Sequence, residues 1–498
     1  MAEGSVAREV ALALPRGQSV DALIVLKDAR VSIATAISRL RPDGILYWEI
    51  DRRSPGWLTA SPGRSRRYLR RVGLAPTATY WVKPDFERCA MLLPLEERAA
   101  LAWYFRTLYG ARTAGRRLAR SAVARGTGLD PHRFERLVPC YAVIACRTGE
   151  SRNQAFLLDQ ARLSMDLRKA GSRPLILTGG EGEWSRVTML PFIGDDPLPA
   201  LVIKMPRVSV FNACTSHEQS VLVEIRRLLG SVLLETIPEP RGTFEWKGLL
   251  GSAESYMDGP SLGRESSRWP RSAGQAIENL RLAAGWLAEF HSRTRVGSKP
   301  WSSPAAGGSL ARMIRAYISA FGESPAEETL FRQLSGQSAA LGEIPLPLVW
   351  QHRDFAPENV RRRGSRVGVI DWEVAQIGLP LCDLIYFVLH WDWTVHGTGS
   401  ARARRERFCK LFLVEKAEEA HVSAARREIA AYMGRLEVDP RLLPLLLAYT
   451  LVEQAVDRAD RRRRIGDPLA SFRGDNPYVG LVDALASEGQ AFLERVPV

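Results

Sequence analysis

The sequence predicts an α+β fold of two lobes, a small β-rich one and a large helical one, behind a partial α/β segment. Three observations carry this. Strands alternate with helical spacing over the first ~95 residues, short apolar runs broken by turn residues follow from ~155 to 257, and helical periodicity dominates thereafter. The expected division is an α/β segment at 1–95, a helical connector at 96–150, the small lobe at 151–257 and the large lobe at 258–498, with 148–152 (TGESR) as a boundary. A chain of 498 residues leads one to expect two to four domains. Its 46% hydrophobic and 25% charged content excludes a disordered, collagenous or fibrous protein.

Residues 21–27 (DALIVLK) suit a short buried strand, and 31–40 have helical spacing. Arg41, Pro42, Asp43 and Gly44 read as a turn, and 45–50 (ILYWEI) as a second buried strand. A basic helix over 64–72 ends at Gly73, and 78–82 with 89–93 read as a terminal hairpin. Residues 96–150 are read as mostly helical and arginine-rich, closing on the apolar run 141–146. The LRPDG turn before a strand and the glycine turn before the last two strands resemble the C-terminal half of a class I S-adenosylmethionine-dependent methyltransferase. The resemblance covers residues 18–95 and lacks that family's glycine-rich cofactor loop, so it implies a truncated or structural relic.

Six cysteines are scattered without a CxxC pair, which favours reduced thiols and a cytoplasmic setting. The apolar run 445–452 falls short of the ~20 residues a membrane span needs, and the N-terminus has no basic-then-apolar leader. The net charge is +14, with 69 Lys and Arg against 55 Asp and Glu, and only eight of the cations are lysines. With no nucleic-acid-binding signature beside it, this arginine content reads as a solvated surface, so neither nucleic acid nor membrane is expected as a partner.

The chemistry is concentrated in residues 348–371, LVWQHRDFAPENVRRRGSRVGVID. Two apolar runs flank a loop holding His352, Asp354 and Asn359, and the second run ends at Asp371. Phosphoryl transfer to an alcohol requires a carboxylate to accept the hydroxyl proton, oxygen ligands for magnesium, and a cation on the phosphates. Asp354 suits the first role, and Asn359 and Asp371 suit magnesium, which prefers hard oxygen donors.

These residues, with Ile370-Asp371-Trp372-Glu373 and the stretch 378–384 (GLPLCDL), resemble the aminoglycoside phosphotransferase and choline kinase family. The resemblance implies a protein-kinase-like fold, ATP and Mg2+ as nucleotide and metal, and a small-molecule hydroxyl as acceptor. It implies Lys204, at the end of the strand 201–204, on the phosphates. Glu218 on the following helix is its implied partner, with Glu224 as the rival. Upstream, 175–177 and 186–192 flank a glycine-rich turn whose Gly180 and Gly182 suit phosphate approach, because glycine backbone N–H groups meet oxygens without side-chain obstruction. Residues 249–257 read as the last small-lobe strand and hinge, with Tyr256 and Met257 offering backbone hydrogen bonds to the nucleotide base and Asp258-Gly259 turning onward.

Several residues receive structural roles. His291 and His352 are read as braces and Asp383 as a tie to the loop backbone. Trp286, Trp391 and Trp393 are assigned to the core, Arg361 to Arg363 to a hairpin turn, and Arg461 to Arg464 to a helix-end cation cluster. Glu373 stands equally as a second-metal group or a helix cap. The expected activity is ATP- and magnesium-dependent phosphorylation of a small molecule. The alternative is a nucleotide-binding pseudokinase that docks a partner through its N-terminal segment.

Overall fold

The computed structural model describes residues 19–27, 33, 37–53, 61–109, 134–147, 173–179, 185–231, 233–266, 273–415, 418–468 and 471–494. The chain divides into two compact units, Met1–Thr215 with Arg241–Tyr256, and Ser216–Pro240 with Met257–Val498.

The first unit is built on a ten-stranded sheet. Its strands are β1 (Val20–Val25), β2 (Leu40–Asp51), β3 (Leu74–Lys83), β4 (Met91–Pro94), β5 (Cys140–Arg147), β6 (Leu175–Leu177), β7 (Val187–Leu190), β8 (Val202–Met205), β9 (Pro240–Trp246) and β10 (Leu249–Glu254). They lie in the order β1-β2-β5-β3-β4-β6-β7-β8-β10-β9. β1 and β2 pair in parallel, whereas β5 runs antiparallel to both β2 and β3. Helix α1 (Pro62–Arg71) packs on β3 and β5, and α2 (Arg98–Thr107) on β4. It starts at Ser61, whose hydroxyl accepts the Arg64 N–H, and Pro62 costs nothing there because a first-turn N–H has no intrahelical partner.

Three local expectations are corrected. Residues 41–44 do not form a turn between elements but lie inside β2. The register jumps from Val20↔Leu40 to Ala22↔Ile45, so this stretch bulges from the pairing and the strand resumes with the buried run after it. The β3–β4 hairpin is present but not terminal, because β6 adds to the edge of β4 with Met91↔Leu177 and Leu92↔Ile176. An open edge would present unpaired N–H and C=O groups, and β6 satisfies them. Within the expected helical connector, β5 is an interior strand. Its sequence CYAVIACR has no polar alternation because both faces are covered, as the burial of Tyr141, Ala142 and Val143 shows.

The second unit is mainly helical and starts within α3 (Asn212–Leu229). It continues through α4 (Ala273–Arg293), β11 (Gly297–Pro300), α5 (Gly307–Phe321), α6 (Pro325–Ala340), β12 (Pro345–Gln351), β13 (Val360–Arg363), β14 (Arg366–Val369), β15 (Gln376–Gly378) and α7 (Cys382–His396). Then follow α8 (Ala401–Phe408), α9 (Ala420–Leu436), α10 (Leu443–Arg464) and α11 (Pro477–Glu488). β12 lies between β11 and β15, and β13 with β14 forms a separate hairpin. Arg361 to Arg363 therefore sit on β13, and the turn falls at 364–365. Trp286, Trp391 and Trp393 are core residues, as their sequence reading holds. Among the described residues no helix is long and apolar enough to cross a membrane.

Gly259 has φ +111, and a Cβ there would lie 2.3 Å from the Arg362 carbonyl oxygen. Gly259→Ala is expected to destabilise the second unit by about 1–3 kcal/mol, from left-handed backbone strain plus overpacking against an immovable backbone atom. Urea unfolding of the variant beside the parent measures it; an unchanged midpoint contradicts the close approach.

Candidate functional site

The loop after β12 is held from below by apolar and buried polar anchors. Phe355 is fully buried, stacked on Trp286 at 5.7 Å between centroids and packed on Phe387 at 5.3 Å. His352 is also fully buried. Its Nε2 donates to the Ile370 carbonyl at 3.0 Å, and its Nδ1 accepts the Asp354 N–H at 3.3 Å, so a single tautomer satisfies both bonds. With both neighbours fixed, the half-buried Asp354 has little freedom to leave its place.

Both carboxylate oxygens of Asp354 are gripped. Tyr386 Oη donates to Oδ1 at 2.9 Å, and Asn359 Nδ2 donates to Oδ2 at 2.9 Å. The same amide donates to the Asp354 carbonyl at 2.9 Å, tying the five-residue loop to itself. Burial, with the Asp371 carboxylate nearby, pushes the Asp354 pKa above its ordinary value.

Three non-glycine residues with left-handed backbone surround this loop: Arg353 (φ 63), Asp371 (φ 75) and Leu381 (φ 73). Such conformations cost of order 1 kcal/mol or more each and persist only where their surroundings hold them. A buried acceptor meets the backbone at each point. Asp383 Oδ1 accepts the Arg353 N–H at 2.8 Å, Glu218 Oε1 accepts the Trp372 N–H at 3.1 Å, and Tyr432 Oη accepts the Leu381 N–H at 3.1 Å. Asp383 Oδ2 also accepts the His352 N–H at 2.6 Å and lies 3.4 Å from His291 Nε2. Asp383, His291 and His352 thus carry the bracing roles read for them.

Glu218 is fully buried, whereas its rival Glu224 is on the outer face of α3, paired with Arg227 at 2.7 Å. Glu373 lies in a turn rather than at a helix start, which leaves no helix for it to cap. Met257 sits with its methyl group against Gly368 of β14, where a Cβ would come within 2.5 Å. In the first unit, Lys204 is buried at the end of β8, and its Nζ is 2.9 Å from Glu254 Oε1. Tyr256 Oη accepts the Trp103 Nε1–H at 3.0 Å, so its side chain is used in packing. Gly180 and Gly182 lie outside the described residues.

Two functional candidates escaped the sequence reading. Glu254 had a signal: β10 pairs antiparallel with β8, Ser252 opposite Lys204, so Glu254 shares a sheet face with the lysine. Tyr386 had none, since it reaches Asp354 across 32 residues.

No curated protein matches the chain. Solved structures similar to it include the amicoumacin kinase hAmiN in complex with AMP-PNP, Ca2+ and Ami, at 9% identity over 62% of this chain and 88% of that one, TM-score 0.37. A choline kinase from Cryptosporidium parvum Iowa II is 12% identical over 64% of this chain and 93% of that one, TM-score 0.34. A choline/ethanolamine kinase family protein from Mesorhizobium loti is 16% identical over 59% of this chain and 100% of that one, TM-score 0.30. Residues 227–419, which contain Asp354, Asn359, Asp371 and Asp383 but neither Lys204 nor Glu218, match the model of the phosphotransferase enzyme family APH, and over that span the chain is similar to this family.

Proposed function

We propose that the chain is a small-molecule kinase, transferring the terminal phosphoryl group of ATP to an alcohol acceptor. The observation that carries this reading is the grip on Asp354, a carboxylate oriented by Tyr386 and Asn359 with the Asp371 charge beside it. In the proposed step the acceptor oxygen bonds to the γ-phosphorus as the bond to the bridging oxygen breaks, ADP leaves, and the hydroxyl proton passes to Asp354. Burial and the Asp371 charge raise the Asp354 pKa, which makes the carboxylate a stronger base for that proton.

The donor set fits magnesium. Asn359 spends its amide N–H groups on Asp354, which leaves Oδ1 to face a cation, and Asp371 adds a carboxylate. Among the described residues no cluster of three His, Cys, Asp or Glu is arranged to hold a metal alone. Magnesium on a nucleotide needs only one or two protein carboxylates, with phosphate and water completing its shell. When bound, it would neutralise phosphate charge during transfer. In this reading Lys204 positions the phosphates and Glu218 orients Lys204, with Glu254 as a second carboxylate on the lysine. Tyr256 and Met257 offer backbone groups to the base. A cytoplasmic setting suits ATP use and the six free cysteines.

The test is ADP release by the purified full chain with magnesium, ATP and a panel of hydroxylated metabolites. Acceptor-dependent release supports the reading. ATP binding with no release above background for any acceptor counts against it and favours a pseudokinase.

A further inference from the structure

Asp354 is the first member of a hydrogen-bonded chain. Tyr386 donates to it, His390 Nε2 and Tyr478 Oη are 2.7 Å apart, and the Tyr386 and His390 rings lie 4.3 Å apart. α7 supplies Tyr386 and His390, one helical turn apart, and α11 supplies Tyr478. Burial, then Arg404 and Arg458, holds the His390 pKa down at about 4, so the imidazole is neutral at physiological pH.

The face of α10 beside this chain is cationic. Gln454 Nε2 approaches the Arg353 carbonyl at 3.4 Å and Asp457 pairs with the Arg353 guanidinium, so positions 454 and 457 meet the loop that carries Asp354. Helical spacing carries the same face on to Arg458 and Arg461. The four arginines 461–464 fill the last turn of α10, as read from the sequence; Arg462 pairs with Asp467 and Arg463 with Asp460, each at 2.6 Å, while Arg461 is half-buried. Among the described residues neither Arg458 nor Arg461 has an ion-pair partner. Arg404 of α8 adds a third cation. Its guanidinium stacks over Trp393 at 5.0 Å, and its Nε is buried without a hydrogen-bond partner.

Three guanidinium groups without ion-pair partners, around neutral hydroxyl and imidazole groups, leave positive charge unpaired on this side of Asp354. The acids on its border are already engaged: Asp457, like the buried Glu453, pairs with Arg353, and Asp460 pairs with Arg463. Guanidinium groups suit carboxylate and phosphate oxygens, which accept paired N–H donors. We propose that Arg404, Arg458 and Arg461 form an anion subsite beside Asp354, and that the acceptor is an alcohol carrying a carboxylate or phosphate group. This inference rests on the phosphotransferase reading and narrows its acceptor.

The test pairs direct binding with turnover. Inorganic phosphate is titrated calorimetrically into the full chain, with and without magnesium and a non-hydrolysable ATP analogue that occupies any γ-phosphate position. Arg458→Ala/Arg461→Ala is expected to weaken phosphate binding about 10- to 100-fold, the loss of charge-assisted hydrogen bonds, whereas Arg402→Ala on the exposed side of α8 leaves it unchanged. ADP release is then compared for glucose, glucosamine, glucuronate and glucose 6-phosphate, and for glycerol, glycerate and glycerol 3-phosphate. The expected result is a preference of at least about tenfold in kcat/KM for an anionic member over its neutral counterpart, lost in Arg461→Glu and retained in part in Arg461→Lys. Whether carboxylate or phosphate wins identifies the group. Phosphate binding indifferent to the double substitution, or preference for glucose or glucosamine with ADP release intact, overturns the subsite while the phosphotransferase reading stands. Arginine-dependent phosphate binding with no acceptor-stimulated ADP release supports the subsite and fails the phosphotransferase reading instead.

Discussion

Asp354→Ala is expected to lower acceptor-dependent ADP release by about 10²–10⁴-fold while leaving nucleotide affinity within about threefold of the parent. The base contributes mainly in the transition state, where the acceptor proton is moving, so its removal lowers kcat rather than nucleotide binding. The substitution also frees the hydroxyl of Tyr386 and one N–H of Asn359, both only partly buried, so the fold should survive. Single-turnover kinetics beside an equilibrium titration with a nucleotide analogue separates the two effects. Unchanged turnover removes Asp354 from the base role, and loss of nucleotide binding in step with turnover assigns it to binding.

Asp383→Ala should cost the second unit about 3–5 kcal/mol, a large share of the ~5–15 kcal/mol by which domains are usually stable. Asp383 is 2% exposed and holds two backbone N–H groups, of His352 and Arg353, in a region where water cannot replace it. Alanine leaves both donors unsatisfied beside the strained Arg353 backbone. Asparagine is also a poor substitute, because its amide accepts one N–H and turns a donor toward the other. The pH dependence has a definite sign. Burial alone would raise the Asp383 pKa, but the hydrogen bond and charge of His291, the charge of His352 and the backbone donor outweigh it and hold the carboxyl below its ordinary value. A depressed folded-state pKa stabilises the fold above the unfolded value of about 3.9, and that contribution is lost as pH falls through the folded value. The stability gap between parent and Asp383→Ala, measured by urea unfolding, should therefore be full at pH 7 and shrink below about pH 4. A gap that does not shrink in acid removes the charge from the explanation.

The spacing of His352, Asp354 and Asn359 was legible because the contacts it specifies are local. One amide reaches the carboxylate and carbonyl five residues earlier, and two apolar runs deliver the loop between them. Lys204 stood out for a similar reason, as a charge closing an apolar strand in a lysine-poor chain. The methyltransferase resemblance over 18–95 has no counterpart in the matched family span, which begins at residue 227. The described strands of that span, β1 to β4, belong to a sheet that continues into β6 to β10.

Taken alone, the sequence determined many of the element types, the candidate chemistry of the loop and the placing of Glu218 and Glu224 on different parts of the α3 surface. Only the tertiary structure decided that β6 closes on β4 and that Tyr386 holds Asp354. Local pattern dictates which face of a helix or strand is buried. Which distant element covers that face depends on long-range pairing, where edges, bulges and unpartnered charges are resolved together, and no short window of residues contains that information.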